Sequence, residues 1–215
     1  MPRDTRDRGP HDRECRLSQP SLFPDLPEPL PAGLPEGLAY EAEFLSRDEE
    51  QALVELVRTL PLHAAKYKEY TARRRVASFG GSYDFDANKL LPAQPLIEEL
   101  HPLRARVARW AGVEPDALRH VLVAEYAPGT PLGWHRDVPD HEDVFGVSLG
   151  STAVLRLRPW PPKDPKRADV VRLRLAPRSV YALRGPARWA WQHSVAPVEE
   201  LRWSITLRTG WSHGR

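Results

Sequence analysis

The chain has 215 residues with 31 Lys and Arg against 29 Asp and Glu, a net charge of +2. That is long enough for one domain with a core, and too balanced for bulk charge to declare a nucleic-acid binder. Its single cysteine, Cys15, excludes a disulfide framework and a CxxC zinc site and fits a reducing, cytoplasmic setting. Mean hydropathy is -0.52, no apolar run approaches a membrane span, and the charged start "MPRDTRDRGPHDREC" lacks the apolar stretch of a secretory signal.

Residues 1–37 hold eight of the 23 prolines, interleaved with Arg, Asp and Glu. Such a segment buries too little apolar surface to offset its ordering entropy, so it reads as a disordered tail ahead of a domain over 38–213. Ser46 as N-cap and Glu49 three residues on form a capping box ahead of "QALVELVRTL". The spacing predicts a helix over 47–59 with Leu53, Leu56, Val57 and Leu60 on one stripe. A second helix is expected within "QPLIEELHPLRARVARWAG", interrupted or restarted near Pro102.

Beyond it the period changes to two. "HVLVAEYA", "VFGVSLGSTAVLRLRP", "VVRLRLAPRSVYALRG" and "LRWSITLRTG" alternate and are bounded by Gly and Pro. Arg172 and Arg174 set against Val171, Leu173 and Leu175 read as a half-buried strand. Helices followed by many short strands predict an α+β domain whose core is an antiparallel sandwich or jelly roll with flanking N-terminal helices.

Within "GWHRDVP", His135 and Asp137 stand two apart, so on a strand both face one side. His-x-Asp is equally a polar surface turn, and its weight depends on a third ligand. His193 lies in a β-like stretch and would be brought alongside by a jelly roll, although a lone histidine is also an ordinary hydrogen-bonded core residue. Two histidines and one carboxylate leave coordination positions open on Fe(II), as an oxygenase requires for O₂ and a chelating cosubstrate. In "RWSITLR", Arg202, Ser204, Thr206 and Arg208 share one face, opposite Trp203, Ile205 and Leu207. A buried guanidinium demands an anionic partner, and the two arginines, roughly 20 Å apart along a strand, would grip different groups.

His135-x-Asp137, His193 and Arg202-x-x-x-x-x-Arg208 together resemble the AlkB family of Fe(II)/2-oxoglutarate dioxygenases. "EYAPGTPLGWHRDVPD" and "FGVSLGSTAVLRLRP" resemble its central strands, while "RRRVASFGGSYDF" and "RGPARWAWQHSV" are similar to its bacterial branch and to the eukaryotic tRNA-modifying members. The resemblance covers about residues 38–211. It implies a double-stranded β-helix and the iron ligands His135, Asp137 and His193. Arg202 would pair with the distal carboxylate of 2-oxoglutarate and Tyr126 would hydrogen-bond that cosubstrate. Arg208 would lie nearer the metal, against Asp137 and the proximal carboxylate, with Ser204 beside it. Two positions depart from the family: its usual Asn is Ala124 here, which bears on cosubstrate affinity. An acidic base-reading position is Pro139, followed by Asp140, which bears on base specificity.

The implied chemistry couples decarboxylation of 2-oxoglutarate by O₂ to oxidation of a substrate C–H, and an oxidised N-methyl group is lost as formaldehyde. The resemblance places a nucleotide-recognition lid over 62–92, and residues 66–75 carry five Lys or Arg against one Glu with Tyr83 close by. Arg73, Arg74 and Arg75 are candidates for phosphate contact, because three consecutive strand arginines cannot all find internal partners. The basic hairpin tip "RPWPPKDPKR" is a second candidate, equally readable as a solubilising loop. Trp134 and Trp191 adjoin the expected ligands and either wall the pocket or fill the core. The expectation is a monomeric oxygenase acting on alkylated bases in single-stranded or locally opened DNA or RNA. A same-fold oxygenase acting on a protein side chain or small molecule, and a non-enzymatic jelly-roll binding module, stay open as alternatives.

Overall fold

The computed structural model describes residues 30–67, 70–84, 89–91, 94–164 and 170–210, with 66–67, 70–72, 82–84 and 89–91 in backbone only. The expected capping box forms: the Ser46 hydroxyl accepts from the Glu49 N–H at 3.2 Å, and the Glu49 carboxylate accepts from the Ser46 N–H at 2.8 Å. It starts helix α1, Arg47–Thr59, as predicted. Helix α2, His101–Ala111, follows a single 3-10 turn at Glu98–Leu100. Pro102 therefore opens this helix instead of interrupting it, because the first turn needs no N–H from that position.

The strands form two main sheets and one hairpin. The seven-stranded sheet runs β1 (Leu38–Glu41), β11 (Val180–Leu183), β8 (His141–Leu149), β13 (Arg202–Gly210), β6 (Leu118–Tyr126), β3 (Tyr70–Phe79), β2 (His63–Tyr67). The four-stranded sheet runs β10 (Val171–Leu175), β9 (Ala153–Pro159), β12 (Trp191–Val195), β7 (Leu132–His135). Strands β4 (Ser82–Asp84) and β5 (Lys89–Leu91) pair within the expected lid. All pairings are antiparallel, and the two sheets make the expected jelly roll.

Alternation decides what each face of the large sheet does. Trp203, Ile205 and Leu207 of β13 join Val57, Leu103 and Val107 in one core under α1 and α2. The opposite face contributes Ala124, Tyr126 and Tyr181 to a second core, closed by Leu155, Leu157, Leu173 and Leu175 of the small sheet. The site described below lies in this second layer. Ordered packing begins slightly before the expected boundary at residue 38. Leu34 packs on the second core, and the Gly37 carbonyl accepts from the Arg184 N–H at 3.0 Å. Gly37, at φ +86°, passes so close that a Cβ there would lie 2.1 Å from the Arg184 carbonyl oxygen. The rest of the expected tail, 1–29, lies outside the described residues. No helix among the described residues is long and apolar enough to cross a membrane.

Candidate metal centre

β12 and β7 are neighbours, and their register sets His193 directly opposite His135, with ring centroids 4.3 Å apart. β7 stops at His135, so Asp137 reaches the same space from the loop beyond the strand. That loop is held by Arg188 of helix α3, Gly185–Trp189. The Arg188 guanidinium donates to the carbonyls of Asp137 at 3.2 Å, Val138 at 2.7 Å and His141 at 2.8 Å. One ligand atom from each of His135, Asp137 and His193 lies within 4.8 Å of the others.

The donors are prepared for a cation. His135 Nδ1 bonds the Gly133 carbonyl at 2.9 Å, which makes that nitrogen the donor and leaves Nε2 as a lone pair. Burial, first of all, keeps both imidazoles neutral: it lowers His135, and with the neighbouring His135 it pushes His193 down to about 3. Burial alone would raise Asp137, yet Arg208, His193, His135 and Arg188 hold its carboxyl well below the usual carboxylate range. Asp137 Oδ1 accepts from Arg208 Nε at 2.7 Å. Asp137 Oδ2 is buried without a hydrogen-bond partner, 3.6 Å from His193 Nε2. Two neutral imidazoles and an orphaned carboxylate oxygen facing one point fit a divalent metal with open positions, the donor set of a non-haem Fe(II) centre.

A second orphan lies deeper. Arg202 is only 2% exposed, Nε donates to Ser148 Oγ at 3.2 Å, and Nη1 is buried with no partner. Its guanidinium lies over the Tyr126 ring, 5.0 Å from the centroid, as the pairing of Arg202 with Tyr126 across β13 and β6 dictates. Ser204 faces the same interior and pairs with Ala124 on one side and Ser148 on the other. Where the family's usual Asn would stand, Ala124 presents only a methyl group, and Ser148 supplies the hydroxyl that accepts from Arg202 Nε. An uncompensated buried guanidinium is costly, and a bound carboxylate removes that cost. The residues present fit 2-oxoglutarate.

Not every expected residue joins this cluster. Trp134 stands next to His135 on β7 and so turns to the outer face, where its ring lies under Arg158 and Arg156; it does not wall the pocket. Trp191 shares the face of His193 and packs on the second core. Asp140 is half-buried in the loop between Asp137 and His141. The three arginines divide by alternation. Arg73 is exposed, and Arg75 has found an internal partner after all, Glu125 at 3.0 Å, with the Leu62 carbonyl also at 3.0 Å. Arg74 shares the inward face with Val76, its Nε is buried without a partner, and its charge is felt at His135. The Tyr83 side chain lies outside what is described.

Several residues of the site escaped the sequence reading. Arg208 Nη1 donates to His120 Nδ1 at 3.1 Å, and His120 stacks on His141 with centroids 4.8 Å apart. Alternation could have found His120, which shares the inward face of β6 with Ala124 and Tyr126. Tyr181 lies across Gly146 of β8, where an added Cβ would come within 2.3 Å of the ring. Burial and then the Asp137 charge push its phenol up to about 12, so it stays a neutral donor beside Asp137 and Arg202. A glycine inside "VFGVSL" was the available signal, since such a residue marks close approach by another group. Arg188 and Ser148 carried no sequence signal.

Comparison with known proteins agrees with this geometry. The chain is 26% identical over 173 residues to a mouse (Mus musculus) tRNA (carboxymethyluridine(34)-5-O)-methyltransferase, ALKBH8, covering 76% of this chain and 25% of that protein. It is 28% identical over 166 residues to the mouse DNA oxidative demethylase ALKBH2, covering 72% and 68%. The chain thus spans about a quarter of the length of the ALKBH8 relatives it matches. The solved structure of OsALKBH1 superposes with a TM-score of 0.65 at 16% identity, covering 80% of this chain and 96% of that one, which supports the jelly roll. The model of the 2OG-Fe(II) oxygenase superfamily matches residues 39–209, and the chain belongs to that superfamily.

Proposed function

We propose that this protein is an Fe(II)/2-oxoglutarate-dependent dioxygenase that removes alkyl groups oxidatively from nucleobases in DNA or RNA. The observation that carries the reading is the pair of buried orphans on one interior. Asp137 Oδ2 lies beside His135 and His193, and Arg202 Nη1 lies within the same sheet-to-sheet layer. The first calls for a cation and the second for a carboxylate. In this reading His135, Asp137 and His193 hold the iron. Arg202, with Tyr126 and Ser148, takes the distal carboxylate of 2-oxoglutarate. Arg208 orients Asp137 through Oδ1 and leaves Oδ2 for the metal. When bound, iron, 2-oxoglutarate and O₂ supply oxidative decarboxylation to succinate and CO₂ coupled to hydroxylation of a substrate C–H. An N-hydroxymethyl product then releases formaldehyde and restores the base.

The substrate class rests on similarity to a tRNA-modifying protein and a DNA demethylase, together with Arg74, whose Nε is buried without a hydrogen-bond partner on the inward face of β3. To test it, protein, Fe(II), ascorbate and 2-oxoglutarate are incubated with N-methylated and etheno-modified oligonucleotides, and the bases are read by mass spectrometry. Restored base in any member of the panel supports the reading; succinate formation with no base restored would move the substrate to another class.

A further inference from the structure

The four-stranded sheet has an outer face that the proposed reaction does not use. On β9 and β10, Leu155, Leu157, Leu173 and Leu175 point into the second core, so Arg156, Arg158, Arg172 and Arg174 point out. The register places Arg172 directly opposite Arg156, and Arg156 opposite Ser194. β7, β9, β10 and β12 together contain these four arginines and no Asp or Glu. In a chain with 29 acidic residues against 31 basic ones, such segregation of charge sets this face apart.

Neutral groups contact three of these arginines. Arg156 Nε donates to Ser194 Oγ at 3.0 Å, and its guanidinium lies 5.3 Å from the centroid of the Trp134 ring. Arg158 lies 4.2 Å from the same ring and, with the Gln192 amide turned to present its oxygen, donates to it at 3.0 and 2.6 Å. Arg172 donates to the Val170 carbonyl at 3.3 Å. Neither Arg156 nor Arg172 forms an ion pair among the described residues. Trp134, Ser194 and Gln192 fix directions without cancelling charge, which a surface built only for solubility does not need. At one edge, exposed Arg136 lies over Trp160, which is 45% exposed, one residue short of Asp137. This aromatic and cationic pair sits at the end of β7 next to Asp137 and at the end of β9.

We propose that the outer face of the four-stranded sheet is a second binding surface, for the phosphodiester backbone of a single-stranded nucleic acid flanking the target base. It rests on the nucleic-acid reading above and extends it from the reacting base to the neighbouring strand. Arg156, Arg172 and Arg174 meet phosphates, and Trp160 offers a ring on which a flanking base stacks.

The test uses the full-length protein with Arg172→Glu/Arg174→Glu, and with Arg172→Gln/Arg174→Gln in case charge reversal disturbs folding. Affinity for an unmodified single-stranded oligonucleotide is measured by fluorescence anisotropy over a salt series. Turnover of an N-methylated mononucleoside, too short to reach the sheet, is measured alongside. The expected result is at least a tenfold loss of oligonucleotide affinity in the Glu variant and a smaller loss in the Gln variant. The log-affinity against log-salt slope should flatten by about 1.4 for two lost phosphate contacts, with mononucleoside turnover unchanged. Unchanged affinity and slope in both variants, or a parent protein that binds no oligonucleotide, overturns the proposal. Oligonucleotide binding that fails in the variants while no methylated base is ever oxidised supports the surface and refutes the substrate reading, so the two failures are distinguishable.

Discussion

Replacing Arg202 with lysine keeps the charge and loses the planar fork. In the structure Nε is committed to Ser148 at 3.2 Å, the guanidinium lies over Tyr126, and Nη1 is the buried group left for a carboxylate. Lysine at this depth has one ammonium and no fork, so it cannot bond Ser148 and the carboxylate in the guanidinium's geometry, and the bond to the carboxylate is the one forfeited. One lost bond of this kind is worth about 1.5–3 kcal/mol, or roughly 10- to 150-fold in affinity at 1.4 kcal/mol per tenfold. The cosubstrate is bound in ground and transition states alike, so the loss should fall on the KM for 2-oxoglutarate, with kcat changing far less. The assay is succinate release at varied 2-oxoglutarate for parent and variant. A companion Arg202→Met variant removes the unpaired buried charge. Without cosubstrate it should be at least as thermostable as the parent, and it should lose the rise in Tm that 2-oxoglutarate gives the parent. An unchanged 2-oxoglutarate KM in the lysine variant, with an unchanged thermal response in the methionine variant, would place the cosubstrate elsewhere.

Gly146→Ala puts a Cβ within 2.3 Å of the Tyr181 ring and should cost about 1–3 kcal/mol by overpacking, read by denaturant unfolding; a variant as stable as the parent would contradict the ring's placement. Arg74→Ala should depress oxidation of a methylated oligonucleotide with little effect on succinate release in its absence, whereas Arg75→Ala, losing a half-exposed pair with Glu125, should change stability by about 0–1 kcal/mol and leave turnover intact. Equal effects of the two on turnover would refute the assignment of faces. His141 is pushed down to about 4 by burial and by Arg208, so the unfolded chain binds more protons than the folded one between its ordinary 6.5 and that value. Stability should therefore fall as pH drops through that window, and a flat melting temperature across it in the metal-free protein would contradict the buried, neutral His141.

Much of the site was legible because strand alternation is a strict rule. "RWSITLR" separated an apolar face from an arginine-bearing one, and β13 divides its residues between the two cores in that way. The capping box at Ser46 and Glu49 is local chemistry and set the start of α1 to the residue. What escaped depends on partners distant in sequence. Arg75 resembled its neighbours until β6 brought Glu125 opposite it, 50 residues away. Arg188, 51 residues from the Asp137 carbonyl it holds, sits in a five-residue helix with no periodic signature. Trp134 was misplaced because adjacency in sequence was allowed to outweigh the period of two that turns neighbours on a strand to opposite faces.

The most direct test of the oxygenase account is product stoichiometry on a methylated single-stranded oligonucleotide, measured for the parent and for Asp137→Ala. The account predicts formaldehyde and restored base in equal amounts, with at least as much succinate, from the parent when Fe(II), 2-oxoglutarate and O₂ are all supplied, and none of the three from a folded Asp137→Ala variant. Restored base without succinate from the parent, or undiminished turnover in the variant, would contradict it.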